Sequence, residues 1–183
     1  MPTVHTVGHG TRSTEELVAV LLDAGITRLI DVRRFPGSRR HPHFAREALE
    51  HDLPSRGIAY DWRGEELGGR RSRKEIAGPT RHPAWRNDGF RNYADYMDTD
   101  AFRSALARLE AEAAEENLAV MCAETLWWRC HRRLISDALT VAGVDVVHLI
   151  GAGESQRHKL HPAIRVEDGR PVYDVGATGT LPV

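Results

Sequence analysis

The chain has 183 residues, and 41% of them are hydrophobic, which is enough to bury the core of one globular domain. It contains no apolar stretch of about 18 residues, and it does not begin with basic residues followed by an apolar segment. We therefore expect neither a membrane span nor a signal peptide. The formal net charge of -1 gives no overall attraction to nucleic acids, and two cysteines without a leader predict a cytoplasmic protein.

The first part of the chain alternates predicted strands with predicted helices. Ser13 and Glu16 have the spacing of a capping box, in which each side chain accepts a hydrogen bond from the other residue's backbone, so a helix begins here. Residues 63–90 are rich in glycine, proline and basic residues and have no clear period, which predicts a long basic loop. Strands are predicted at residues 3–7, 28–32 and 58–62, and helices at residues 14–24 and 44–52.

The second part continues this alternation. Helices are predicted at residues 90–97, 100–116 and 130–142, and strands at residues 117–121, 145–150 and, more weakly, 171–175. Because crossovers between parallel strands are right-handed, this order predicts a single-domain α/β fold with a largely parallel sheet, helices on its faces and the basic loop as an insertion. We expect residues 1–150 to form this core and residues 151–183 to form a loop-rich tail packed on it.

Polar residues follow three of the predicted strands. His9 lies between two glycines after the first strand, Asp31 ends the second, and Cys122 and Glu124 follow the fourth. The carboxyl ends of parallel strands meet at one edge of a sheet, where ligands bind, so these residues predict a site. A carboxylate embedded in an apolar strand needs a partner, so a structural ion pair is the alternative role for Asp31. A turn residue is the alternative for His9.

The run from Val120 to Arg132 is the densest in reactive groups. It holds both cysteines, a carboxylate, an imidazole, two indoles and two arginines on a predicted strand-to-helix turn. The first turn of a helix offers unpaired N–H groups to an anion and lowers the pKa of a thiol, which favours a nucleophilic Cys130. His131 shares a helical stripe with Ile135, so a buried histidine bonded to the backbone is its alternative role.

The charge is distributed unevenly along the chain. Residues 33–91 contain 14 arginines and lysines against eight aspartates and glutamates, and acidic residues concentrate elsewhere, as in residues 110–116. Such a patch indicates binding to the phosphates of nucleic acid. A general preference for arginine is the alternative explanation, because only Lys74 and Lys159 are lysines.

Several motifs together resemble the domain-of-unknown-function 488 family. The motifs occur in the family's order over residues 3–150. They are residues 6–11, residues 30–33 with Pro36 and Ser38-Arg39, Tyr60 with residues 67–69, residues 122–124 with residues 130–132, and residues 147–150. Gly10 stands where serine is common in the family. The resemblance implies a link to repair of damaged DNA, including removal of modified bases.

These observations together predict a monofunctional DNA glycosylase that hydrolyses the N-glycosidic bond of a modified base. Such an enzyme extrudes a nucleotide, stacks its base and places a carboxylate near the sugar. Neither lysine lies near the predicted site, so a Schiff-base lyase is not expected. We expect DNA as partner and no cofactor, and oligomeric state is left open. The expected catalytic residues are Asp31, Glu124 and His9, and the expected substrate-binding residues are Arg33, Arg39, Tyr60, Trp127, Cys122, Cys130, His131 and Arg132.

Two other functions stay open. Cys122, Cys130 and His131 could support thiol or metal chemistry, although the cysteine spacing matches neither a zinc finger nor a standard redox pair. A sulfur transferase with a rhodanese-like fold is not expected, because the compact cysteine-centred loop that it requires is absent from this sequence. The third function is a nucleic-acid-binding module that uses the basic patch and needs no carboxylate.

Overall fold

The computed structural model describes residues 1–37 and 39–177. Ser38, in the basic segment, and residues 178–183, in the predicted tail, lie outside the described residues. The strands are β1 (Thr3–Gly8), β2 (Arg28–Asp31), β3 (Ala59–Trp62), β4 (Leu118–Cys122), β5 (Asp145–Gly151), β6 (Glu154–Arg157), β7 (Ile164–Glu167) and β8 (Arg170–Tyr173). The α-helices are α1 (Thr14–Asp23), α2 (Arg46–Asp52), α3 (Gly64–Leu67), α4 (Asp88–Met97), α5 (Asp100–Glu115) and α6 (Arg132–Val141).

The predicted α/β fold is confirmed. Six strands form one sheet in the order β3-β2-β4-β1-β5-β6, in which only β6 pairs antiparallel. Ser13 caps α1 with the predicted capping box, and Thr99 caps α5 by accepting a hydrogen bond from the backbone of Phe102. Strands β2, β4 and β1 are neighbours, so their carboxyl ends lie side by side at one edge.

Helices cover both faces of the sheet, and successive side chains of β4 point to opposite faces. Leu118, Val120 and Cys122 belong to the core that contains residues of α5 and α6. Ala119 and Met121 belong to the second core, which contains residues of α1 and α2. Side chains in a strand point alternately to opposite faces. Cys122 is therefore directed toward α6.

Two segments contain more regular structure than predicted. Residues 63–90 include α3, a 3-10 turn at Arg73–Glu75 and the first residues of α4. The tail contributes β6 to the main sheet, and β7 and β8 form a separate hairpin. All four residues of β6 are exposed, so this edge strand carries no apolar pattern by which the sequence could reveal it.

Among residues 1–37 and 39–177, none of the helices combines the length and the apolar character that crossing a bilayer requires.

Candidate functional site

A cavity of about 560 Å³ opens at the carboxyl edge of the sheet, beside the ends of β2 and β4 and the start of α6. Five of the residues predicted for the site line it: Arg33, Cys122, Glu124, Cys130 and His131. Ligand sites of several hundred Å³ are common at this edge of open α/β sheets. The residues that follow β2 and β4 therefore meet at one cavity, whereas His9 and Asp31 are not among the residues that line it.

The loop after β4 is fixed against the end of β1. The N–H of His9 donates to the carbonyl of Cys122 at 3.0 Å, and the N–H of Gly10 donates to that of Ala123 at 3.1 Å. A Cβ atom at Gly8 would lie 2.0 Å from the carbonyl oxygen of Glu124, so only glycine allows this close approach. The main chain that carries Glu124 is thereby held beside the cavity.

Glu124 is the predicted catalytic carboxylate that reaches the cavity. Its side chain is exposed, and its Oε1 atom accepts a hydrogen bond from the N–H of Leu126 at 3.3 Å. This single backbone contact leaves the second carboxylate oxygen available to a ligand or a water molecule.

Asp31 is positioned differently, because it is fully buried behind the cavity wall. Its two oxygens accept hydrogen bonds from the guanidinium of Arg33 at 2.9 and 2.6 Å, and Oδ1 also accepts from the backbone N–H of Arg33 at 3.0 Å. The hydroxyl of Tyr60 donates to Oδ2 at 2.5 Å. Asp31 and Tyr60 are not among the residues that line the cavity. This environment matches the structural ion pair that the sequence left open.

His9 also lies beneath the surface, outside the cavity lining. It is 3% exposed and stacks on Phe44, with ring centroids 4.4 Å apart. Burial, with a smaller contribution from the charge of Arg33, lowers the pKa of His9 to about 4, although the hydrogen bond to Gly10 acts to raise it. The uncharged ring donates from Nδ1 to the carbonyl of Gly10 at 2.9 Å and accepts at Nε2 from Arg33 at 3.3 Å. His9 therefore holds Arg33 in place.

The two cysteines, eight positions apart in the sequence, meet at the cavity. Neither forms a disulfide, and their Sγ atoms are 2.8 Å apart. Arg132 donates to Sγ of Cys130 from its backbone N–H at 3.3 Å and from Nε at 3.5 Å. Cys130 opens the turn that leads into α6 on the face toward which Cys122 points, so strand alternation brings the pair together.

The surroundings shift the pKa values of the two thiols in opposite directions. Burial and the adjacent Cys130 raise the pKa of Cys122 well above its usual range. Burial acts to raise the pKa of Cys130 too, but the hydrogen bond from Cys122, the imidazole of His131 and the charge of Arg132 outweigh it and hold this pKa well below its usual range. These opposite shifts favour Cys130 as the thiolate and Cys122 as the S–H donor.

His131 contributes to the wall of the cavity. Its Nε2–H donates to the carbonyl of Val32 at 3.0 Å, which fixes the ring on the end of β2. A Cβ atom at Gly69 would lie 2.9 Å from Nδ1, so the glycine leaves room for the ring. The predicted backbone-bonded histidine is also a cavity residue.

Arg132 and Trp127 lie on the other side of this loop, away from the cavity lining. Arg132 is 1% exposed, and its guanidinium donates to the carbonyl of Glu124 at 2.5 Å and to Oγ1 of Thr6 at 3.3 Å. Trp127 is buried and stacks on His148 with ring centroids 4.2 Å apart. These two residues support the loop from behind and do not face a ligand in the cavity.

His148 belongs to a buried polar chain beneath the same loop. Its Nδ1 is 2.6 Å from Oγ1 of Thr6, and its Nε2 is 2.9 Å from Nδ1 of His158, whose Nε2 is 2.9 Å from Asp137. Asp137 also accepts a hydrogen bond from Tyr173 at 2.8 Å. Burial, with smaller contributions from His158 and Arg132, lowers the pKa of His148 to about 3.

We expect the protein to lose stability as the pH falls below about 6.5. His9 and His148 have folded-state pKa values near 4 and 3, so below the unfolded value of about 6.5 the unfolded chain binds protons that the folded chain does not. Each histidine should lower the free energy of unfolding by about 1 kcal/mol between pH 6.5 and 5.5. Urea unfolding at the two pH values measures this. Replacing the exposed His51 with glutamine should leave the difference unchanged, and equal stability at both pH values would contradict the expectation.

The arginines of the cavity fall into two groups. Arg33 is bound to Asp31, and Arg34 pairs with Glu75 at 2.7 Å. Within the part of the chain that the structure describes, Arg70 and Arg129 are exposed and have no ion pair. These two are the cations that a ligand can use. Arg39 is exposed and does not line the cavity.

The sequence did not predict Arg70, Arg129 or the aromatic wall of the cavity as ligand-binding groups. Phe35 is 65% exposed at the cavity, and Phe90 and Tyr93 line it as well. The excess of arginine signalled a basic region, but which arginines face the cavity depends on how the irregular segment around Gly69 folds over α6. None of the four tryptophans that the sequence offered for stacking lines this cavity.

In residues 1–37 and 39–177, no three histidine, cysteine, aspartate or glutamate side chains are grouped as metal ligands.

A family model described as domain of unknown function DUF488 matches residues 13–139. This match covers more than half of the chain, so the chain belongs to that family. No curated protein and no solved structure matches the chain significantly.

Proposed function

We propose that this DUF488 chain processes nucleic-acid bases, and that it hydrolyses the N-glycosidic bond of a modified base in DNA. The observation that carries the proposal is the presence, in one cavity, of one exposed carboxylate and two arginines that form no ion pair with any described residue. Arg70 and Arg129 supply the charge for a phosphate, and Glu124 supplies the carboxylate. The link of this family to DNA repair is part of the proposal.

The dimensions and walls of the cavity suit an extruded nucleotide. A volume of about 560 Å³ lies in the range of small-molecule sites. The exposed ring of Phe35 offers a face on which a base can stack, and such stacking contributes about 1–3 kcal/mol per base. Enzymes that act on a base take it out of the duplex and read it in a pocket of this kind.

Glu124 would act on the sugar. In base hydrolysis, positive charge develops on the sugar as the bond to the base breaks, and a carboxylate stabilises this charge or orients the attacking water. The carboxylate oxygen not bonded to Leu126 is free for this role. Neither lysine of the chain lines the cavity, so the reaction would use water and not a Schiff base.

The direct test is an assay on duplexes that each carry one modified base. Heat or alkali converts an abasic site into a strand break, so a glycosylase gives cleavage after this treatment and none before it. Cleavage without the treatment would indicate a lyase. Binding without product on every duplex would favour the non-catalytic binding module.

We expect affinity for DNA to fall steeply with salt, because neutralised phosphates release counterions. The slope of log affinity against log salt is about -0.9 for each phosphate contact, so Arg70→Ala or Arg129→Ala should each reduce its magnitude by about one. Fluorescence anisotropy over a range of salt concentrations measures the slope. Arg157→Ala is the matched control, since this exposed arginine lies on β6 and pairs with Asp145. A salt-independent affinity would contradict phosphate binding.

Thiol chemistry is the second candidate function, and the low pKa of Cys130 favours it. A thiolate at the start of a helix, next to Arg132 and open to a cavity, has the setting of a catalytic nucleophile. Cys130→Ser separates the two candidates. Base hydrolysis should survive this substitution, whereas a covalent thiol mechanism should be abolished.

A further inference from the structure

The cysteine pair offers a reactivity that base hydrolysis does not use. The Sγ atoms of Cys122 and Cys130 are 2.8 Å apart, whereas a disulfide requires about 2.05 Å. Small changes in side-chain rotation supply that difference. The two residues lie on different elements, the end of β4 and the turn before α6, and both line the open cavity.

We propose that Cys122 and Cys130 form a peroxide-reactive dithiol, in which a hydroperoxide oxidises Cys130 and Cys122 then closes an intramolecular disulfide. Three observations assign the roles. Cys130 is partly exposed and receives two N–H groups of Arg132, which stabilise a sulfur anion. Cys122 is buried and in contact with Cys130, so it is less accessible to the peroxide than Cys130 and is placed to attack Cys130.

The first step consumes one peroxide. The thiolate sulfur of Cys130 attacks one peroxide oxygen, the O–O bond breaks, and the leaving oxygen takes a proton and departs as water or an alcohol. Cys130 is left as a sulfenic acid. Hydrogen peroxide is small enough to enter the cavity, and the charge of Arg132 keeps the sulfur in the reactive thiolate form.

The second step forms the disulfide. The sulfur of Cys122 attacks the sulfur of Cys130, the S–O bond breaks, and the hydroxide released takes the proton of Cys122 and leaves as water. The net reaction converts two thiols and one hydroperoxide into one disulfide, one water, and a second water or an alcohol. The reaction does not depend on the proposed base hydrolysis.

The test uses the full chain, reduced and then freed of reductant, with hydrogen peroxide as the oxidant. After oxidation, free thiols are blocked with N-ethylmaleimide and the protein is digested with trypsin. Cleavage after Arg129 separates the two cysteines, so a disulfide appears in the mass spectrum as a covalent link between two peptides. We expect this linked pair in the monomer, no maleimide label on either cysteine, and recovery of both labels after dithiothreitol.

Two variants assign the order of the steps. In Cys122→Ser, Cys130 should stop at the sulfenic acid, which dimedone traps, and in Cys130→Ser the remaining buried thiol should react at least tenfold more slowly. The rate of reaction of Cys130 with iodoacetamide in Cys122→Ala should change less than about threefold between pH 6 and 8, whereas a thiol with a pKa of about 8.5 becomes about 75-fold more reactive over this range.

Three results would overturn the proposal: both cysteines of the native chain still labelled after peroxide, a disulfide only between chains, or faster oxidation at Cys122 than at Cys130. The first two outcomes are read from peptide masses in the unmodified protein, so they do not depend on a variant folding. They are also independent of base release. A chain that forms the disulfide but releases no base would contradict only the proposed function.

Discussion

Replacing Glu124 with glutamine should lower the rate of base release by about a hundredfold or more while affinity for DNA changes little, as expected for an interaction made mainly in the transition state. Glutamine keeps the size of the side chain and can still accept the hydrogen bond from Leu126. It cannot supply the negative charge that stabilises a sugar cation. Single-turnover rates with excess enzyme measure the chemical step, and anisotropy measures binding.

The matched control is Glu47→Gln, since Glu47 is an exposed carboxylate on α2 that does not line the cavity. Its rate should equal that of the unmodified chain. An active Glu124→Gln together with an inactive Cys130→Ser would move the catalytic role from the carboxylate to the thiolate. Loss of binding in Glu124→Gln would mean that the residue organises the loop and does not act on the reaction.

The fold was predictable because local pattern and global architecture agree. Strands β1 and β5 are short and rich in apolar and β-branched residues, and α1 carries its own start signal in Ser13 and Glu16. Parallel order then follows from the alternation of strands and helices. The sequence also indicated β8, as the weaker strand at residues 171–175, but β6 and β7 escaped because they are short and largely exposed, without the buried runs that mark β1 and β4.

The site was predictable to the level of one sheet edge. Parallelism brings the ends of β1, β2 and β4 together, but it does not reveal which side chains face outward. Asp31 and Glu124 were equivalent in the sequence, since each follows or ends a core strand. Their difference depends on Arg33 and Tyr60, which surround Asp31, and Tyr60 comes from a neighbouring strand.

The cysteine pair shows the same limit. Their spacing in the sequence matches no standard redox motif, and a prediction from spacing alone rejects them as a redox pair. Cys122 ends a strand, and Cys130 precedes a helix that packs on the same face of the sheet. The loop between them therefore brings Cys130 back beside Cys122. Two residues outside the sequence spacing hold this loop in place. Gly8 leaves room for the carbonyl of Glu124, and Arg132 donates a hydrogen bond to the same carbonyl.

Removing the charge of Asp31 should be the most damaging change to stability. Its side chain is fully buried, and Arg33 is 7% exposed, so Asp31→Ala leaves a guanidinium without its counter-ion inside the protein. Breaking a buried ion pair by removing one partner costs about 3–5 kcal/mol. The whole free energy of unfolding of a domain is about 5–15 kcal/mol, so urea unfolding followed by circular dichroism should shift to a much lower midpoint.

An exposed pair and a double variant make this prediction specific. Asp100→Ala removes the partner of Arg103 on the surface and should cost about 1 kcal/mol or less, since exposed ion pairs contribute little. The double variant Asp31→Ala, Arg33→Met should lose less free energy of unfolding than the two single variants lose in sum, because it leaves no unpaired buried charge. Additive losses would contradict the ion-pair role. Normal stability of Asp31→Ala together with lost base release would instead return Asp31 to the catalytic role that the sequence first suggested.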